Sequence, residues 1–290
     1  MSTSEESAQP VRAGVIGLGI MGGAFAKHLV TAGVPTSGYD LLAPNLDALR
    51  AHGGHTCSSA RAVAAGADIV ITSLPHSSAL EDALFGVEGV VSAGRTGLMI
   101  VETSTLALED KERVRARLKN VGIGMLDAPI SGTGPQAAAK DIAIFASGER
   151  ADFDGVQRML SQFARSVRYV GAFGAGSKMK YVANLLVAIH IAGAAEAIVL
   201  GEKAGLDPAL LVEVLTDSAA TSRMLEVRGP SMAAGTYATP MMKVDVFRKD
   251  LDIIASFARQ SNCPVPLFNT AVPFFTAVAA QGMGLQDTAA

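Results

Sequence analysis

Over the first 170 or so residues, short apolar runs alternate with stretches whose apolar positions recur every three or four residues. Residues 11–18 are an apolar run of strand length, and Met21, Phe25, Leu29 and Val30 behind it have helical spacing. The same rhythm predicts strands at 36–40, 68–74, 98–102, 124–127, 142–146 and 167–170. Helices are predicted between them at 46–51, 58–65, 77–85, 106–119 and 152–163. Such alternation builds a mostly parallel, doubly wound α/β sheet. From about Ser177 strand signals nearly vanish. Residues 179–204 read as one long Ala-rich helix that tolerates Gly193 and Gly201. Gly205 fits its end, and Asp207-Pro208 opens the next helix with Pro at the first helical position. Further helices are predicted at 209–217, 244–260 and 268–281. The expected organisation is a flexible polar tail over 1–10, the α/β domain over 11–174, and an all-α domain over 175–290. The second domain is entered through the long interdomain helix.

Composition narrows the function classes. With 49% apolar residues in 290, a large core is easily buried. A net charge of −3 and the lack of any basic run leave no electrostatic footprint for nucleic acid. Cys57 and Cys263 cannot define a disulfide framework, which suits a reducing cytoplasm. Residues 1–9 are polar and acidic, unlike a signal peptide. Apolar stretches elsewhere are expected to be interrupted well short of a membrane span. His52 and His55 are separated by Gly53-Gly54, which breaks helix, so no metal site is expected. The long helix, rich in small residues and apolar on more than one side, has more surface than a small domain covers. A homodimer or homotetramer is therefore expected.

The strongest chemical signal is Gly17-Leu-Gly19-Ile20-Met21-Gly22, placed between a strand and a helix. In that context GxGxxG is a dinucleotide fingerprint, and the α/β domain reads as a Rossmann domain. Gly17 makes the tight turn, Gly19 lets backbone approach a pyrophosphate, and Gly22 allows close helix packing. The helix N-terminus then faces the phosphates. Asp40 ends the second strand roughly 20 residues on, where a ribose-binding acid is expected. Its carboxylate would repel a 2′-phosphate, and residues 41–45 contain no Arg or Lys to welcome one. NAD(H) is favoured over NADP(H).

Two further segments carry candidate chemistry. Lys180 and Asn184 are four apart, on one helix face near its start. The positive dipole end, burial and a nearby nicotinamide cation would lower the lysine pKa towards neutrality, as a general base requires. Lys178 competes for the same assignment, and a solvated surface lysine is the plain alternative. Asp127-Ala-Pro-Ile-Ser131-Gly132-Thr133-Gly134 follows a strand at its carboxyl end. Ser131 offers a hydroxyl and the glycine-rich backbone an anion-binding concavity suited to a carboxylate, although a plain glycine turn fits the spacing too. Glu102-Thr-Ser104-Thr105 also ends a strand and is indistinguishable alone from a helix N-cap.

Taken in order, GLGIMG at 17–22, LP at 74–75, TST at 103–105, DAPISG at 127–132, GAGSKMK at 174–180 and KDL at 249–251 resemble the β-hydroxyacid dehydrogenase family. The resemblance covers about residues 11–281. It implies that Gly17, Gly19, Ile20, Met21 and Gly22 bind the dinucleotide and that Leu74, Pro75 and Thr105 line the cofactor cleft. It implies that Ser131, Gly132 and Thr133 hold the substrate carboxylate, that Lys180 is the catalytic acid/base, and that Asn184 is its partner. Lys249 would reach the cofactor from the second domain. The implied reaction is reversible hydride transfer between a nicotinamide and the β-hydroxyl carbon of a small hydroxycarboxylic acid. Thr133 replaces the family's usual second glycine, Lys140-Asp141 its Gly-Thr pair, and Ala183 its usual Asn or His. These departures bear on substrate identity. Residues 188–196, with His190, and 146–148 are most similar to the L-threonate dehydrogenase side of the family. The alternatives are an imine reductase-like enzyme, which Lys180 and Asp40 count against, and a non-catalytic dinucleotide-binding module, which Lys180 counts against.

Overall fold

The computed structural model describes residues 10–290, so the tail expected at 1–10 lies outside the described residues except for Pro10. Two compact units divide at Lys180 and Tyr181. In the first, six parallel strands form one sheet in the order β3-β2-β1-β4-β5-β6. They are β1 (Ala13–Ile16), β2 (Thr36–Tyr39), β3 (His55–Thr56), β4 (Ile69–Thr72), β5 (Met99–Glu102) and β6 (Gly124–Asp127). Every residue of β1 and β4 is buried, as strands covered on both faces require. The pleat divides their side chains between two cores. Ile69, Ile71 and Val101 pack with Phe25, Leu29 and Phe163 on one face. Val70 and Ile100 pack with Val63, Leu80, Leu84 and Leu118 on the other. The helices α1 (Ile20–Thr31), α3 (Ala60–Gly66), α4 (Ser77–Phe85) and α5 (Leu108–Lys119) supply these partners apart from Phe163, and α2 (Ala43–Ala51) adds Leu49 to the first core. Strand order reverses between β1 and β4, which opens a crevice at the carboxyl ends of the strands.

The sheet is less extensive than the alternation of runs suggests. β8 (Ala143–Ala146) and β9 (Ser166–Tyr169) do not extend it; with β7 (Ile130–Ser131) they form a second, three-stranded sheet. β7 pairs antiparallel with β8, and β9 parallel. Only Ala128 and Pro129 separate β6 from β7, far too few for the crossover that a parallel neighbour needs. β3, β7 and the short α6 (Gly134–Ala138) have too few residues to show a period, so the pattern of runs misses them. α7 (Arg150–Leu160) covers the second sheet's side of the core through Phe153 and Val156.

α8 (Ala175–Lys203) begins in the first unit and continues into the second, which is otherwise α9 (Pro208–Thr216), α10 (Arg223–Ala234), α11 (Val244–Gln260) and α12 (Pro266–Ala280). Asp207 caps α9 by accepting the Leu210 N–H at 2.8 Å, as its Asp-Pro start predicts. α10 is unanticipated because Gly229 and Pro230 lie inside it and read as breakers. α8 corrects a second expectation. By length and composition it is long and apolar enough to cross a membrane, and it is the one such helix among the described residues. Val182, Leu186, Val199 and Leu200 are exposed along it.

Candidate functional site

The sequence around the glycine motif folds into the turn its residue types dictate. Gly17 has φ 86°, a conformation L side chains rarely adopt, and a Cβ there would lie 2.2 Å from the Ser73 carbonyl oxygen. Gly22 packs on the same turn: its Cβ would lie 1.9 Å from the Gly17 carbonyl oxygen. Gly19 differs, for a Cβ would meet nothing within 4 Å. No neighbouring protein atom demands a glycine there, whereas a phosphate approaching the backbone would. Gly19 is the N-cap of α1 and no side chain caps that helix, so its first N–H groups point outward as an anion site. Ile20 is exposed and Met21 half-buried beside it.

Asp40 lies beside this loop. Its Oδ2 accepts the Leu18 N–H at 2.7 Å and its Oδ1 the Leu42 N–H at 2.8 Å. A carboxylate oxygen has two acceptor sites, so each retains capacity for a ribose hydroxyl. The residues fit an NAD-type dinucleotide: a cradle that a Cβ at Gly19 would fill, an uncapped helix start, and a fixed carboxylate with no cation in 41–45. Across the crevice, Leu74 N–H donates to Ser104 Oγ at 2.8 Å and Thr103 Oγ to the Thr72 carbonyl at 2.7 Å. These bonds join the Leu74-Pro75 and 103–105 loops. Pro75 is exposed, and Leu74 and Thr105 are half-buried.

β7 and the start of α6 carry Ser131, Gly132 and Thr133. All three are half-buried. Thr133 is less available than its glycine-rich setting suggests. Its N–H donates to Gln136 Oε1 at 3.0 Å and its hydroxyl to the same atom at 3.1 Å. A substrate carboxylate reaching for that N–H competes with the Gln136 amide. The signal was legible, since Thr133-x-x-Gln136 is a capping-box pattern. Gln136 Nε2 lies 3.4 Å from Asp141 Oδ2, and Asp141 Oδ1 accepts from Arg165 at 2.7 Å. His28 on α1 binds the Ala137 carbonyl at 3.0 Å, which ties α6 to the helix of the glycine motif.

On α8, Lys178 is exposed and Lys180 is only 6% exposed. Burial thus separates two lysines that the sequence leaves in competition. Asn184, one turn further along the same face, is buried and donates Nδ2 to Asp250 Oδ2 at 2.9 Å. The carboxylate accepts only, so it fixes which way the amide points. Asp250 was not anticipated, although it lies within the KDL segment. Its neighbour Lys249 forms an ion pair with its Oδ1 at 3.3 Å. Among the described residues, no group of three or more His, Cys, Asp or Glu is placed to hold a metal ion.

Comparisons with known proteins place the chain in a family. Residues 12–171 match the family model described as the NAD binding domain of 6-phosphogluconate dehydrogenase. Residues 174–290 match the model described as NAD-binding of NADP-dependent 3-hydroxyisobutyrate dehydrogenase. The chain is 37% identical to L-threonate dehydrogenase of Cupriavidus necator over 96% of its length and 93% of that protein. It is 32% identical to 2-(hydroxymethyl)glutarate dehydrogenase of Eubacterium barkeri, over 97% and 93% of the two chains. The crystal structure of 3-hydroxyisobutyrate dehydrogenase from Salmonella typhimurium superposes with a TM-score of 0.88 at 33% identity, covering 96% of this chain and 98% of that one. With a glycine-motif crevice, a buried lysine on α8 and both family models matched in order, the chain belongs to the β-hydroxyacid dehydrogenase family of NAD(P)-binding oxidoreductases.

Proposed function

We propose that the protein is an NAD-dependent dehydrogenase of a small hydroxycarboxylic acid, oxidising the hydroxyl β to the carboxylate, with Lys180 as general acid/base. The observation that carries this reading is the burial of Lys180 beside an exposed Lys178. NAD, held by Gly17, Gly19, Ile20, Met21, Gly22 and Asp40, with Leu74, Pro75, Thr105 and Lys249 contributing, supplies a hydride acceptor or, reduced, a hydride donor. In the oxidative direction the neutral Lys180 amine takes the substrate hydroxyl proton as the carbinol C–H bond breaks. In the reductive direction its ammonium returns that proton to the forming alkoxide. Asn184 orients the reacting group without adding charge. Ser131, Gly132 and Thr133 hold the substrate carboxylate and so fix which carbon is presented.

The relatives named for L-threonate and 2-(hydroxymethyl)glutarate support a polar hydroxycarboxylate as substrate. The testing experiment is NAD-dependent oxidation of L-threonate, D-glycerate, 3-hydroxyisobutyrate, 3-hydroxypropionate and L-serine, with kcat/KM for each and product analysis to locate the new carbonyl. Turnover of at least one is expected, at the β-carbon. Tight NAD binding without turnover of any would favour the non-catalytic module. We further propose that a second copy of the chain covers the apolar side chains left exposed along α8.

A further inference from the structure

The first turn of α8 is held from outside the helix by a buried charged cluster to which hydride transfer assigns no task. Lys111 on α5, Glu102 at the end of β5 and Asp127 at the end of β6 are all fully buried. Lys111 Nζ donates to Asp127 Oδ1 at 2.9 Å and to the Ser104 carbonyl at 2.6 Å, and lies 3.9 Å from Glu102 Oε1. Glu102 accepts the Ser104 N–H at 2.6 Å and the Thr72 hydroxyl. Asp127 accepts the Ser177 N–H at 2.7 Å and the Ser177 hydroxyl at 2.8 Å. Ser147 Oγ lies 3.2 Å from Asp127 Oδ2 and accepts the Gly176 N–H at 2.9 Å. Gly176 makes this approach possible, because a Cβ there would lie 2.3 Å from the Phe145 carbonyl oxygen.

Stability alone gives little reason to bury three charges. Replacing such groups by apolar residues of similar volume is often neutral or stabilising. Charges hydrogen-bonded on several sides do fix position. Asp127 turns its carboxyl group towards the N–H groups that open α8, the positive end of the helix. Lys180 follows Ser177 by one turn, and Ser131 follows Asp127 by four residues. One carboxylate therefore sets both the helix that bears the acid/base and the loop assigned to the substrate carboxylate, while Lys111 ties in the 103–105 loop.

We propose that Asp127, with Lys111, Glu102 and the Ser177 hydroxyl, is a positioning device that sets the axial and angular placement of Lys180. The inference rests on the reading of Lys180 as acid/base. Its test is a double-mutant cycle between Ser177→Ala, which leaves the Lys111–Asp127 ion pair intact, and Lys180→Ala. Measured quantities are kcat, KM, the NADH Kd by fluorescence titration and the thermal midpoint. Ser177→Ala is expected to lower kcat about 10-fold with KM and NADH Kd within about twofold, since a displacement near 1 Å can cost ~10²-fold. In the Lys180→Ala background the same change is expected to cost less than about twofold, because no amine remains to be positioned. Ser177→Thr, which keeps the hydroxyl, is expected to restore turnover. An equal loss in both backgrounds, or an undiminished kcat in Ser177→Ala, overturns the proposal while Lys180-dependent turnover stands. Wild-type turnover in Lys180→Ala alone overturns the acid/base reading and this inference with it. Ser147→Ala, which deletes the bond to Gly176, gives the same cycle should Ser177→Ala not fold.

Discussion

The proposed preference for NAD rests on one side chain, Asp40. Each of its oxygens is held by a backbone N–H, from Leu18 and from Leu42, so the carboxylate is fixed before any ribose arrives. Its removal costs both the loop contacts and the ribose hydrogen bonds. Hydrogen bonds to a charged group are worth about 1.5–3 kcal/mol. Asp40→Ala is therefore expected to weaken NADH binding roughly 10- to 100-fold and to narrow the NAD/NADP ratio of kcat/KM, measured with both cofactors. A variant that keeps the wild-type ratio contradicts the assignment. The place of Asp40 beside the glycine loop was legible from its spacing, whereas Lys178 and Lys180 stayed in competition until burial separated them. Lys111 was not legible. It shares the buried stripe of α5 with Val114 and Leu118, and its partners lie 9 and 16 residues away in other elements. Only their meeting in space tells a paired core lysine from a solvated one.

Elements carried by an uninterrupted apolar run or hydrophobic period declared themselves. α4, α11 and β6 end where the pattern of runs ends. Those that sequence missed are short, such as β7 and α6, or interrupted, such as α10 with Pro230. α10 is held despite its breakers partly by a pair that no local pattern announces. Arg228 and Asp287, both nearly fully buried, meet at 2.8 Å. Burial pushes the guanidinium pKa down and the Asp287 charge pulls it back up. Asp287 also accepts backbone N–H groups of Met241 at 2.6 Å and Ala289 at 2.9 Å, so the last residues are pinned to α10 and to the start of α11. Arg228→Met leaves the buried carboxylate without its cation. The expected loss is about 3 kcal/mol, at the low end for a broken buried pair because the backbone donors remain. That corresponds to a fall of roughly 6–12 °C in thermal midpoint by differential scanning calorimetry. An unchanged midpoint contradicts the account of the pair.

For the molecule as a whole, the alternation of runs was enough to predict a doubly wound domain followed by helices. It could not show that the last strands would leave the sheet, because pairing partners are chosen by connection length rather than by period. The proposed self-association follows from apolar side chains that the chain does not cover itself: Val182, Leu186, Val199 and Leu200 on α8, and Leu210 and Val214 on α9. Light scattering at micromolar concentration is expected to give two or four times the chain mass of 29.8 kDa. Leu200→Asp is expected to shift that mass downward, and a monomeric wild-type protein would remove the basis for the proposal.

The most direct measurement is the turnover of Lys180→Ala on the best hydroxyacid of the panel, with NADH binding measured on the same preparation. An acid/base role for Lys180 predicts a kcat reduced about 10²- to 10⁴-fold with the NADH Kd nearly unchanged. Turnover at the wild-type rate in that variant would contradict it.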